Sequence, residues 1–236
     1  MKIKLFTVPN IITLANLLCG CASIISSLVL EDFTLAFIFI LSSAVCDFFD
    51  GFTARLLKQY SEIGVQLDSL ADMVSFGVAP SVVMYAYAAQ SSTLFALPQG
   101  LVEALVFVPF IMAAFSALRL AKFNIDDTQH DSFSGLPTPA NAIFCASFVY
   151  ALTVESRVVE VEWIALISLL MAALLVSPIR MFSFKLKSLK WSVAKMQYIF
   201  LALVCVSLLT LGAYSVPTII VIYIVMSTLG WLFCKK

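Results

Sequence analysis

Four aspartates stand in two helically spaced pairs, Asp47 with Asp50 and Asp68 with Asp72, inside the stretch DFFDGFTARLLKQYSEIGVQLDSLAD (residues 47–72). Residues three or four apart share one helical face, so each pair presents two carboxylates side by side. The stretch between the pairs is expected to turn, setting two adjacent antiparallel helices whose four acids converge at one depth. Four anions in a low-dielectric site must be protonated, paired or neutralised by cations, and Arg55 alone cannot balance them. Hard carboxylate oxygens suit Mg²⁺, Mn²⁺ or Ca²⁺ rather than zinc or copper. Gly51 and Gly64 let backbone approach a bulky ligand closely, and Ala54 keeps the same face low. A single acid at the end of an apolar segment can be a solvated loop residue. Two helical pairs flanking glycines and an arginine point to a functional site, as intramembrane ionisable groups generally do.

The elements that must position these acids are apolar. The chain has 236 residues, 62% of them hydrophobic and 12% charged, with a mean hydropathy of +1.04. Soluble domains run at about 45–50% apolar and about 25% charged. So much apolar surface cannot be hidden in one soluble core, and an integral membrane protein is implied. A formal net charge of zero gives no reason to expect a nucleic-acid partner. The cysteines are scattered without a CxxC pair, which disfavours disulfides and a zinc site. The first apolar run continues past Leu28 without a clear small-residue cleavage site, so it is expected to be a span rather than a signal peptide.

A spanning helix takes about 20 apolar residues. Eight segments qualify, at roughly 10–30, 33–57, 68–90, 101–121, 139–154, 163–178, 197–215 and 217–234. The expected fold is all-α: a single polytopic transmembrane bundle over 1–236, with a catalytic core at about 8–142 and a basic amphipathic juxtamembrane segment at 179–196. With the N-terminus in the cytoplasm, eight crossings put thirteen of the fourteen basic residues on that side, only Arg157 falling outside. The positive-inside rule then places both termini in the cytoplasm and the acid cluster at the cytoplasmic face of the inner membrane. Pro9 fits a helix start, Pro80 should kink the third span, and Pro217 should mark the turn between the last two. A cation transporter would instead hold its acids near the midplane and show repeated halves; no repeat is visible.

Read as D-x-x-D-G-x-x-A-R-x8-G-x3-D-x3-D, residues 47–72 resemble the signature of the CDP-alcohol phosphatidyltransferases, matching at Asp47, Asp50, Gly51, Ala54, Arg55, Gly64, Asp68 and Asp72. The resemblance implies transfer of a phosphatidyl group from a CDP-linked lipid to an alcohol, with CMP leaving. It implies two divalent ions on Asp47, Asp50, Asp68 and Asp72, with Asp72 also the general base. It places the nucleotide against Asp47, Gly51, Ala54, Arg55 and Gly64, and it implies a homodimer. The cluster contains no acceptable Ser or His nucleophile, so direct in-line transfer is expected.

Other segments narrow the acceptor. PNIITLANLLCG (residues 9–20) resembles the first helix of the phosphatidylserine synthase branch, with Asn10, Thr13 and Asn16 on one inward stripe. These are expected to hold the nucleotide or its phosphates, unless they only satisfy local helix carbonyls. LRLAKFNI (118–125) and FSGLPTPAN (133–141) resemble the RxARFN and FxGLPxPxA segments of the same branch, with Lys122 where Arg is common. That keeps the charge and loses the planar fork. The branch implies CDP-diacylglycerol and L-serine as substrates. Arg119 and Lys122 can bind a serine carboxylate, a lipid phosphate or both, or simply anchor a span end; Asn124 is a further polar contact. Glycerol 3-phosphate would call for more basic residues and inositol for more neutral hydrogen-bonding groups. His130 is expected to be solvated, and the run 180–195 to rest on anionic membrane lipids.

Overall fold

A computed structural model describes residues 5–125, 135–181 and 191–234, without the side chains of 191–195 and 234. His130 and most of the basic run lie outside the described residues, as do both ends of the chain. The described residues form ten α-helices and no β-strand: α1 Val8–Leu28, α2 Phe33–Leu56, α3 Glu62–Asp72, α4 Ala79–Ala89, α5 Gln99–Phe107, α6 Phe110–Ile125, α7 Thr138–Val154, α8 Val161–Val176, α9 Trp191–Thr210 and α10 Ser215–Cys234. A π-helical segment, Met73–Val78, joins α3 to α4. Five helical stretches are long and apolar enough to cross a membrane: Val8–Leu28, Phe33–Leu56, Glu62–Ala89, Gln99–Ile125 and Gly212–Phe233. Three apolar helices are shorter, Thr138–Val154, Val161–Val176 and Met196–Thr210. The protein is an all-α membrane protein.

Helix starts follow capping chemistry. Thr7 Oγ1 accepts from Asn10 N, and Pro9 sits in the first turn of α1. Ser61 Oγ accepts from Gly64 N at 3.1 Å and starts α3, six residues before the expected start at 68. The reversal between α2 and α3 is correspondingly short. Gln59 N bonds Ala54 O at 3.0 Å, Lys58 N bonds Arg55 O at 3.3 Å, and Lys58 has φ 52°. This pairing ends a helix by satisfying its last carbonyls. Asp68 and Asp72 therefore lie well inside a helix rather than at its beginning.

α1 packs extensively on α2 and also on α3, the π segment and α4, whereas α2 and α3 make little backbone contact with each other. Small buried residues on α1 permit this: Gly20, Ser23, Ser26 and Ser27 face inward, and Ser23 Oγ donates to Ala36 O at 2.9 Å. Small residues let membrane helices approach closely. The acids of α2 and α3 thus meet across a gap backed by α1.

Ahead of Pro80, where a kink was expected, the helix carries the π segment, in which Ala79 N–H reaches back to Val74 O. Proline lacks the N–H and crowds the carbonyl four residues earlier; the wider i→i+5 spacing relieves that crowding. Pro217 lies in the first turn of α10, and the reversal before it falls at Leu211–Tyr214, with Gly212 at φ 51°.

The loop ahead of α7 is tied to the end of α8. Gly135 N donates to Ile179 O and Leu136 N to Leu174 O, each at 2.9 Å. Gly135 has φ 79°, and a Cβ there would lie 2.3 Å from Leu175 O. Leu136 is fully buried in a core that includes Phe76, Met84, Met112, Val149, Ile164 and Leu175. Strain at a positive φ costs about 1–3 kcal/mol, and the backbone clash adds to it. Gly135→Ala should therefore lower the thermal midpoint of the detergent-purified protein by several degrees; an unchanged midpoint would contradict this anchoring.

Candidate active site

α2 carries Asp47, Asp50, Gly51, Ala54 and Arg55 along one stripe, and α3 carries Gly64, Asp68 and Asp72 along another. One carboxylate oxygen from each of Asp47, Asp50 and Asp68 falls within 4.8 Å of the others. Asp50 is buried, and its Oδ2 accepts from Thr13 Oγ1 at 2.7 Å. Asp68 Oδ1 is buried with no hydrogen-bond partner among the described residues. A buried, unpaired carboxylate oxygen is costly. Three convergent hard oxygens, beside an unpartnered oxygen of Asp68, fit a divalent cation.

Asp72 stands outside that group of three. Its Oδ1 accepts from Asn16 Nδ2 at 3.2 Å, while it remains within electrostatic reach of Asp47, Asp68 and Asp50. The expected equal convergence of four acids thus resolves into three plus one.

Two adjoining spaces open from the acids. The first, about 200 Å³, is lined by Asn10, Thr13, Gly51, Ala54, Arg55 and Gly64, and by Gln59, Tyr60 and Ser61 of the short reversal. A Cβ on Gly64 would stand 3.0 Å from Ser61 Oγ and 3.3 Å from Asn10 Oδ1, tight on both sides, whereas one on Gly51 would make ordinary contact at 3.7 Å from Arg55 Nη1. Asn16 does not line this cleft; it is fully buried against Asp72, Ser43 and Ser75.

The second space, about 460 Å³, shares Asp50, Gly51, Arg55 and Asp68 with the first and adds Asp47, Asp72, Arg119, Asn124 and Thr138. Arg119 Nη1 donates to Thr138 Oγ1 at 3.4 Å. Its Nε is buried without a partner among the described residues. Asn124 Nδ2 donates to Ser69 Oγ at 2.8 Å, tying α6 to α3. Lys122 does not line this space. It lines a separate cavity of about 270 Å³ with Leu118, Arg119 and the end of α8. Positions three apart on a helix differ by about 60° in direction, so Arg119 borders both spaces and Lys122 only one.

Several polar residues of the site went unnoticed in the sequence: Ser43, Ser69, Ser75 and Thr138. Ser43 lies one turn before Asp47 on the stripe that continues through Asp50 and Ala54, a spacing that could have marked it. Serine and threonine are common in apolar helices as local back-bonders, which hides those that reach across.

An acidic, cation-suited cluster within apolar helices, open to one cleft and one larger chamber, is the candidate site of a membrane enzyme. A sequence profile described as CDP-alcohol phosphatidyltransferase matches residues 6–177, a range that holds every residue of the site described above. The chain belongs to the CDP-alcohol phosphatidyltransferase family. It is similar to the CDP-diacylglycerol–serine O-phosphatidyltransferase of Helicobacter pylori, 31% identical over 237 residues, covering 97% of this chain and 92% of the relative. It is 38% identical over 146 residues to the Bacillus subtilis protein of the same name, covering 61% of this chain and 76% of the relative. The Methanocaldococcus jannaschii protein of that name is 33% identical over 145 residues, covering 61% of each.

If the first cleft takes a nucleotide, Gly64→Val should weaken CMP binding by at least about tenfold, the scale of one lost good contact of about 1.4 kcal/mol. Because the added side chain also crowds Ser61 Oγ and Asn10 Oδ1, affinity is measured on the fraction that stays folded. Unaltered CMP affinity, measured by equilibrium dialysis, would contradict the assignment.

Proposed function

We propose that this chain transfers the phosphatidyl group of CDP-diacylglycerol to the hydroxyl of L-serine, giving phosphatidylserine and CMP. The observation that carries this reading is the convergence of Asp47, Asp50 and Asp68 between a cleft lined by the family's nucleotide positions and a chamber lined by the half-buried Arg119. The printed names of the relatives supply the acceptor.

Asp47, Asp50 and Asp68, with Asp72 shared, would hold two divalent ions, Mg²⁺ or Mn²⁺, with Ca²⁺ a third cation suited to the same oxygens. When bound, such ions neutralise the diphosphate and favour both the attacking and the leaving oxygen. Asn10, Gly51, Ala54, Arg55 and Gly64 receive the cytidine nucleotide. Thr13, which borders the same cleft, holds Asp50 in place. Arg119 takes the serine carboxylate or the lipid phosphate, and Asn124 contributes a polar contact at the chamber wall. Lys122 acts from the neighbouring cavity on lipid headgroups.

In the reaction the serine oxygen attacks the phosphorus nearest the lipid and the bridging P–O bond breaks. The bond's electron pair leaves with CMP, and the hydroxyl proton passes to Asp72, the general base. Transfer is direct. The hydroxyls of Ser69 and Thr138 are engaged with Asn124 and Arg119 rather than with an activating carboxylate. The reading includes a single membrane domain of eight spans, with both termini and the site on the cytoplasmic side of the inner membrane. It is supported by Arg55, Lys58, Arg119, Lys122 and Arg180, which the charge pattern groups with the acids. The homodimer rests on the family alone.

Purified protein given CDP-diacylglycerol, Mg²⁺ or Mn²⁺ and one alcohol at a time should release CMP with L-serine and not with glycerol 3-phosphate or inositol. Serine-independent turnover with another alcohol would overturn the acceptor. Asp72→Asn should lower kcat by about 10³-fold, within the usual span for a general base, and spare CMP binding. Exchange of labelled CMP into CDP-diacylglycerol without acceptor would contradict direct transfer.

A further inference from the structure

We propose that Asn16 is a positioning residue for Asp72, held by a polar knot that draws one group from each of three neighbouring segments. The proposal rests on the reading of Asp72 as the base. Asn16, Ser43 and Ser75 are each fully buried. An ionised carboxylate offers only acceptors, so the amide NH₂ of Asn16 must face Asp72. Its Nδ2 does so, at 3.2 Å from Asp72 Oδ1. The amide oxygen then points the other way, where Ser43 Oγ of α2 donates to it. Ser75 Oγ of the π segment donates to Asn16 O at 3.0 Å, fixing the same residue through its backbone.

Gly20 makes the third tie possible. A Cβ there would lie 2.5 Å from Ser75 Oγ and 2.7 Å from Ser75 Cα. Any side chain at 20 would drive α1 off the π segment just where Ser75 reaches across. The π segment begins at the residue after Asp72, so its packing and the carboxylate's direction are coupled. The result is a carboxylate whose Oδ1 is fixed from behind, on a residue that lines the chamber.

This assigns Asn16 to the chemical step rather than to nucleotide binding, and the two roles separate kinetically. A misplacement of about 1 Å in a reacting group can cost about 100-fold. In the purified full chain, Asn16→Ala should lower kcat by about 30- to 100-fold on that scale. KM for CDP-diacylglycerol and CMP affinity by equilibrium dialysis should stay within about threefold of the parent, a shift below 1 kcal/mol. Ser43→Ala should lower kcat in the same direction by about five- to tenfold, and the double variant should lose less than the product of the two, as coupled neighbours do. Ser23→Ala is the control. It removes a buried bond between α1 and α2 outside the knot, and should lower the thermal midpoint while leaving kcat alone.

Asn16→Ala with parental kcat and a raised KM or weakened CMP binding would overturn the proposal, as would equal kcat losses in Asn16→Ala and Ser23→Ala. Should Asn16→Ala fail to accumulate, Ser43→Ala decides by the same split, and a parental kcat there overturns it. Turnover retained by Asp72→Asn would instead remove the reading of the base. An inactive Asp72→Asn beside a fully active Asn16→Ala removes only the positioning role.

Discussion

Three carboxylate oxygens held within 4.8 Å of one another repel. Two unit charges about 4 Å apart interact at about 4 kcal/mol for an effective dielectric of about 20. Thr13 donates to Asp50 and Arg55 lines the same space, but Asp68 Oδ1 is left buried without a donor among the described residues. A chain that keeps such a cluster is organised around the cation that satisfies it. The rest of the fold can be understood as what holds the cluster together in the cation's absence and leaves two openings beside it.

Helix α1 does most of the holding. It packs behind both acid-bearing helices, and it sends Thr13 to Asp50 and Asn16 to Asp72. Its small residues bring it close enough to do so. Because α2 and α3 barely touch, the space between them stays open as cleft and chamber instead of closing into a packed interface. On the far wall, the Gly135 loop is pinned to the end of α8. That sets Thr138 opposite Arg119 and turns an ordinary helix start into one side of the chamber.

Much of this was legible in the sequence. The apolar segments, the two aspartate pairs and the inward stripe of α1 follow from helical spacing and composition alone, and the glycines at 51 and 64 line the cleft as the motif implied. What was not legible concerns direction and distance between helices. Spacing shows that Asp68 and Asp72 share a face. It does not show that a neighbouring amide withdraws one of them from the group of three. It shows Arg119 and Lys122 three apart, but not that the side chains border different spaces. The π segment was hidden because a single wider turn leaves no periodic trace; only Pro80 hinted that the regular ladder would fail there. The turn between α2 and α3 pointed to adjacent helices, but not to α1 as the element packed against both.

The central claim is that the Asp47, Asp50 and Asp68 oxygens hold a divalent cation on which the nucleotide diphosphate depends. The direct measurement is calorimetric titration of a soluble CDP analogue into metal-stripped protein, repeated after adding back Mn²⁺, for the parent chain and for Asp68→Ala. The account predicts binding only when the metal is present and only in the parent. Equal affinity with and without the ion, or an Asp68→Ala variant that binds as the parent does, would contradict it.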